Sequence, residues 1–161
     1  RGVYSTQRFG LWKLLANLTH LPKFDMVKVL QASDLPFIEV PRISTRVHSA
    51  SDVGANDTTV WEQWIKADGF IPMHYHDTEE VLVIMSGTIS LELDGHAIRL
   101  NAPASIIVEP EELHGIRPVG TDKVHLFGIF PTAFPKIFDE TGRPRPLPTH
   151  DQTMTENPYD T

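Results

Sequence analysis

The sequence predicts an all-β fold, a jelly-roll barrel built from two sheets, on the basis of three observations. Short apolar or alternating segments recur about every ten residues, as in sandwiches and barrels. Turn residues (Gly, Pro and Asp) separate these segments, and residues 26–130 show hardly any helix signal. A jelly roll closes such a pattern without exposed edges and leaves an interior wide enough for a small site.

The individual strands follow from residue type and periodicity. In residues 88–93, Ile89, Leu91 and Leu93 fall on one face, and Asp94-Gly95 is a strong two-residue hairpin signal. β-branched and aromatic residues favour a strand over a helix at 58–67. The predicted strands are 26–30, 44–49, 58–67, the segment containing His74, 81–85, 88–93, 96–100, 105–108, 114–118 and 124–130.

Both ends of the chain differ in composition from the predicted barrel at 26–130. Residues 1–25 form a predicted N-terminal arm or an upstream extension, with a helical stripe of leucines from Leu11 to Leu18. Residues 131–161 hold 6 of the 13 prolines, so we expect a C-terminal arm without ladder strands or a long helix. Phe134, Ile137 and Phe138 are expected to anchor a short helical turn across the barrel mouth. The apolar stripes in both arms predict a homodimer.

The composition bounds the partners and the chemistry. A chain of 161 residues suits one domain with a sizeable core. The absence of cysteine excludes disulfides, thiolate metal sites and thiol catalysis. A net charge of -7 argues against a nucleic-acid partner, and no apolar run is long enough for a membrane span. We therefore expect a cytoplasmic protein with a small-molecule substrate.

The stretch from His74 to Glu80 carries the main functional signal. His74 and His76 point to the same face of a strand, because side chains alternate with period two, and together they can chelate one divalent cation. Glu80 is near enough to add a carboxylate oxygen, and His114 is the leading candidate for a fourth donor. A lone histidine in a strand is more often packed or on the surface, but this combination is rarer.

The same residues resemble a known family signature. Gly69, then His74-x-His76-x-x-x-Glu80, then Gly87 after six further residues, is similar to the first signature of the cupin family. This spacing to Gly87 favours Glu80 over Glu79 as the residue that supplies the carboxylate ligand.

A second motif extends the resemblance to residues 58–130. Ala104, Pro110 and His114 resemble the second cupin signature, although Ala104 replaces its opening glycine and its Pro-x-Gly glycine is missing. The resemblance implies a single-domain, cupin-type double-stranded β-helix that binds one divalent transition metal (Fe, Mn, Ni, Cu or Zn). The implied metal ligands are His74, His76, Glu80 and His114.

The resemblance also implies a function. Four protein ligands on a six-coordinate metal leave two positions for substrate or O2, so a dioxygenase-type oxidoreductase acting on a small organic substrate is the first hypothesis. A Zn-type isomerase or lyase, and a non-catalytic cupin that binds a metal or a small ligand such as a sugar, are the alternatives. Trp61, Gln63 and Trp64 are candidates for the cavity wall, while His48 and His125 are expected to be surface or packed residues.

Overall fold

The computed structural model describes residues 27–148, in which two antiparallel sheets of six strands each form a jelly roll. The chain divides into two compact units, residues 1–31 and 32–161, and every strand among the described residues belongs to the second unit. The strands are β1 (Phe37–Val40), β2 (Ile43–Ser49), β3 (Thr59–Ile65), β4 (Ile71–His76), β5 (Glu80–Ser86), β6 (Thr88–Leu93), β7 (His96–Asn101), β8 (Ala104–Val108), β9 (His114–Pro118), β10 (Val124–Phe130), β11 (Ile137–Asp139) and β12 (Pro144–Arg145). The predicted all-β jelly roll is confirmed.

The first sheet has the strand order β1-β2-β3-β10-β5-β8, and the second has the order β12-β11-β4-β9-β6-β7. Between residues 27 and 148, two short 3-10 turns, Ala32–Asp34 and Ser51–Val53, accompany the strands. No helix in the described part of the chain is long and apolar enough to cross a membrane.

Alternation along the strands builds the interior. On β10, Val124, Leu126, Gly128 and Phe130 are buried, and the three residues that alternate with them are half-buried. Because β10 pairs with both β3 and β5, its inward residues meet inward residues of both neighbours. The larger apolar cluster lies among β2 to β6 and β8 to β10, and a smaller one comprises Ile38, Val47, Trp61, Phe130 and Ile137.

The expectation that residues after 130 form no ladder strand is wrong. β11 pairs with β4, with Ile137 opposite His76, and Ile137 is buried in the smaller apolar cluster. Pro144 lies on β12 at the edge of its sheet, a position where the missing N–H is tolerated. Phe138 therefore lies on a strand and stacks on Tyr75, with ring centroids 5.1 Å apart, and is not part of a helical turn.

Two further differences concern the start of the described chain. The predicted strand at 26–30 is wrong over residues 27–30, which have no regular structure, and β1 was not predicted. The leucine stripe and the predicted arm at 1–25 lie outside the described residues, and so do residues 149–161 of the Pro-rich segment. The division of the chain at residues 25/26 and 130/131 stays a prediction.

Candidate metal centre

Three strands bring four potential ligands together inside the barrel. His74 and His76 lie on β4, Glu80 begins β5 in the facing sheet, and His114 begins β9 directly opposite His74. The four side chains are buried, and each offers a ligand atom within 4.8 Å of the others. The three histidines and the glutamate singled out in the sequence therefore form one cluster that could hold a metal ion.

Each imidazole in the cluster is oriented by a backbone carbonyl. The Nδ1 atoms of His74, His76 and His114 lie 2.8, 2.9 and 2.9 Å from carbonyl oxygens. The acceptors are Pro72, Lys136 and Glu112, respectively. Because a carbonyl can only accept, each Nδ1 carries the proton, and Nε2 presents its lone pair to the cluster when the ring is neutral.

The ligand atoms that face the centre of the cluster suit a bound cation better than they suit hydrogen bonds with one another. His76 Nε2 is buried and has no hydrogen-bond partner among residues 27–148, and it lies 3.5 Å from Glu80 Oε2. His114 Nε2 lies 3.0 Å from the same oxygen. A neutral His114 would set its lone pair against that of the carboxylate, which only a proton or a shared cation reconciles. Three imidazole nitrogens and a carboxylate oxygen are a donor set suited to divalent Fe, Mn, Ni, Cu or Zn.

Burial and mutual interaction shift the protonation of the four groups. Burial, and then the nearby charges of His114 and His76, lower the pKa of His74 to about 3. Burial likewise lowers the pKa of His76. Although burial acts in the opposite direction on each, the hydrogen bond between Glu80 and His114 and their attraction lower the pKa of Glu80 and raise that of His114. His74, His76 and Glu80 are therefore held in the forms that bind metal.

The immediate surroundings of the cluster are aromatic on one side, and on another the backbone of β10 lies close to Glu80. The Phe130 ring lies 4.7 Å from the His76 ring, and Trp61 packs edge-on against Phe130 at 4.8 Å. At Gly128 on β10, a Cβ atom would lie only 2.8 Å from Glu80 Oε1. A glycine at this position leaves room for the carboxylate.

The other residues considered for the site divide between the two faces of the first sheet. Trp61 is buried in the interior, and Gln63, on the same face of β3, donates from Nε2 to Thr45 Oγ1 at 3.0 Å. Trp64 is on the opposite face, stacked on His125 with centroids 4.7 Å apart, so it is not part of an interior wall. Glu79 is half-buried and lies outside the four-residue cluster.

A second polar cluster, on the outer face of the first sheet, was not predicted. Glu62 lies 2.7 Å from His48 Nε2, 2.9 Å from His125 Nε2 and 3.5 Å from Arg46 Nη1. Burial opposes ionisation of Glu62, but hydrogen bonds and attraction from the two histidines lower its pKa overall. Alternation could have placed Glu62 and His125 on outward faces, but the pairing of β3 with β10 that joins them is not visible in the sequence.

Comparison with known proteins agrees with this architecture. The family model described as the Cupin domain matches residues 61–130. This range runs from within β3 to the end of β10 and contains all four clustered residues. The resemblance to the cupin superfamily is therefore supported over residues 61–130, and the two-sheet fold agrees with it. No sequence in a comparison with curated proteins matches the chain.

Solved cupin-like structures resemble the chain over most of its length at low identity. The polyketide cyclase RemF from Streptomyces resistomycificus has a TM-score of 0.60 at 18% identity, covering 83% of this chain and 91% of that one. KdgF from Halomonas sp. has a TM-score of 0.55 at 15% identity, covering 66% and 94%. A variant of the oxalate decarboxylase OxdC from Bacillus subtilis has a TM-score of 0.62 at 16% identity, covering 73% of this chain but 36% of the decarboxylase. At these identities the likeness shows the fold.

Proposed function

We propose that this protein is a metal-dependent enzyme acting on a small organic substrate, with dioxygenase-type oxidoreductase chemistry as the first candidate. The observation that carries the proposal is the convergence of four buried nitrogen and oxygen donors within 4.8 Å of one another. A purely structural metal is not needed here, because the barrel has its own apolar core. Buried groups with strongly shifted pKa values are also characteristic of functional sites.

The residues that would hold the metal are His74, His76, Glu80 and His114. When bound, a divalent transition metal supplies a Lewis acid and, if it is redox-active, a means of electron transfer between an organic substrate and O2. The ionised Glu80 contributes one negative charge and the neutral imidazoles contribute none. A divalent cation held by these four ligands would therefore keep a net positive charge. Such a centre favours a substrate that binds as an anion.

The residues beside the cluster suit an organic substrate. Phe130 contacts His76 edge-on, and Trp61 extends the aromatic surface behind it. Apolar walls exclude water and strengthen the attraction between a buried cation centre and a bound anion, because the local dielectric is low. Gln63, with its amide bonded to Thr45 in the interior, is a candidate for hydrogen bonding to the substrate.

Non-oxidative chemistry is the second candidate. Two of the structural neighbours are named as a polyketide cyclase and an oxalate decarboxylase, and these names refer to cyclisation and decarboxylation. A Zn-type isomerase or lyase would use the same four donors, since Zn accepts nitrogen and oxygen ligands but has no redox chemistry. A cupin that binds a metal or a sugar without turnover is the remaining alternative.

The test is reconstitution of the metal-free protein with each metal separately. Fe(II), Mn(II), Ni(II), Cu(II) and Zn(II) are added in turn, and O2 consumption is followed with diketones, catechols, flavonols and small acids. The His114→Ala variant, carried through the same panel, is the matched control. Substrate-dependent O2 uptake with a redox metal, lost in His114→Ala, supports the oxygenase proposal. Absence of uptake with every redox metal, together with turnover or tight binding in the Zn(II) sample, would favour the second candidate.

Homodimer assembly and a cytoplasmic location also stay predictions. The dimer is tested by light scattering coupled to size-exclusion chromatography at micromolar protein concentration. A molar mass near twice 18.1 kDa is expected, and a uniform mass of 18.1 kDa would contradict it.

A further inference from the structure

The three clustered histidines obtain their Nδ1 acceptors in two different ways. His74 and His114 each use the carbonyl of the residue two positions earlier in the chain, Pro72 and Glu112. His76 instead uses the carbonyl of Lys136, which is 60 positions away, at 2.9 Å. The orientation of His76 therefore depends on a segment that lies beyond the residues matched by the family, 61–130.

The side chain next to His76 holds that segment in place. Asp77 Oδ1 accepts a hydrogen bond from the backbone N–H of Lys136 at 3.0 Å. Asp77 Oδ2 also pairs with Lys136 Nζ at 3.0 Å. One carboxylate thus contacts both the backbone and the ammonium of the residue whose carbonyl orients His76.

Packing supports the same arrangement from the other side. Directly after Lys136, Ile137 pairs with His76 in the ladder between β11 and β4 and is buried in the smaller apolar cluster. Pro135, directly before Lys136, is fully buried. The side chain of Lys136 is 68% exposed and that of Asp77 36% exposed, so the two pair at the surface, whereas the Lys136 carbonyl points inward to His76.

We propose that Asp77 and Lys136 form a positioning pair for His76, holding the Lys136 carbonyl where it fixes the Nδ1–H tautomer and directs Nε2 into the metal centre. The inference rests on the proposed metal function for its purpose, but the tautomer claim concerns the protein alone. Partners of this kind orient metal-bound histidines, and their loss typically weakens metal affinity about 10–100-fold. Asp77 acts through Lys136, so we expect a loss of about 10-fold, at the lower end of that range.

The first experiment measures the tautomer of His76 by long-range 1H–15N NMR of the metal-free protein. In the wild type we expect His76 to be protonated at Nδ1. In Asp77→Ala we expect a mixture of the two tautomers at His76, with His74 unchanged because its acceptor is on its own strand. Asp77→Asn keeps an oxygen acceptor for the Lys136 N–H and should keep the wild-type tautomer. An unchanged His76 signal in Asp77→Ala would overturn the proposal, whatever happens to its melting temperature.

The second experiment measures Zn(II) affinity by competition with a chromophoric chelator. Asp77→Ala should raise the Kd about 10-fold. Glu79→Gln is the matched control, because it removes a negative charge beside the centre without touching Lys136, and its Kd should be that of the wild type. An equal loss in both variants would mean that charge, not positioning, is responsible, and would overturn the proposal. If the wild type binds no Zn(II) or redox metal, the proposed function fails, whereas the NMR result still decides the role of Asp77.

Discussion

Replacing Gly128 with alanine tests whether the site needs the space that this glycine leaves for Glu80. The added Cβ would lie 2.8 Å from Glu80 Oε1, whereas ordinary contact begins at 3.4 Å, so one of the two must move by about 0.6 Å. Gly128 does not have a left-handed backbone, so alanine adds no backbone strain. The carboxylate is buried and bonded to His114, which restricts its movement. Overpacking of this kind costs about 1–3 kcal/mol.

The assay is a double-mutant cycle on the metal-free protein, with the free energy of unfolding measured by urea denaturation. Gly128→Ala alone should lose about 1–3 kcal/mol. In the Glu80→Ala background the same change should be neutral, or stabilising by about 0.4–1 kcal/mol, because alanine restricts the unfolded chain. Equal effects of Gly128→Ala in both backgrounds would refute the reasoning, since the two residues would then not be coupled.

Two further predictions concern the carboxylates. Glu80→Ala should lower the metal content of the purified protein while Glu79→Ala leaves it nearly unchanged, because Glu80 lies in the buried cluster and Glu79 does not. Metal content is measured by elemental analysis, and the reverse result would contradict the ligand assignment. Glu62 has a folded pKa below its ordinary 4.5, so its stabilising effect should be complete above that value and disappear as the pH falls through the folded pKa. The stability difference between wild type and Glu62→Gln, followed by denaturation from pH 7 to pH 3, should therefore shrink on acidification, and a constant difference would disprove this.

Local sequence patterns were sufficient to predict most of the barrel. The strands Thr88–Leu93, His114–Pro118 and Val124–Phe130 occur with the predicted bounds, because their alternation and turns are encoded within the segments themselves. The cluster of His74, His76, Glu80 and His114 was also accessible, since two of its members share a strand face and the others fall in family-like motifs.

Features that depend on distant pairing were not accessible from the sequence. β11 is short and lies between Pro135 and Pro144, and it forms a strand only because β4 provides the ladder and the smaller apolar cluster buries Ile137. The role of Lys136 as the acceptor for His76 follows from that pairing and has no local signal. The contacts of Glu62 likewise require the register of three neighbouring strands.

The central claim, that this protein holds a metal at the four-residue cluster, is tested most directly by metal stoichiometry. The protein is purified without chelators, analysed by mass spectrometry for Mn, Fe, Ni, Cu and Zn, and then reloaded after stripping with each metal. We expect about one divalent ion per chain, because the four donors form a single cluster, and almost none in a folded His76→Ala variant. A folded wild-type protein that neither retains nor takes up any of these metals, or a His76→Ala variant that binds as much as the wild type, would contradict the claim.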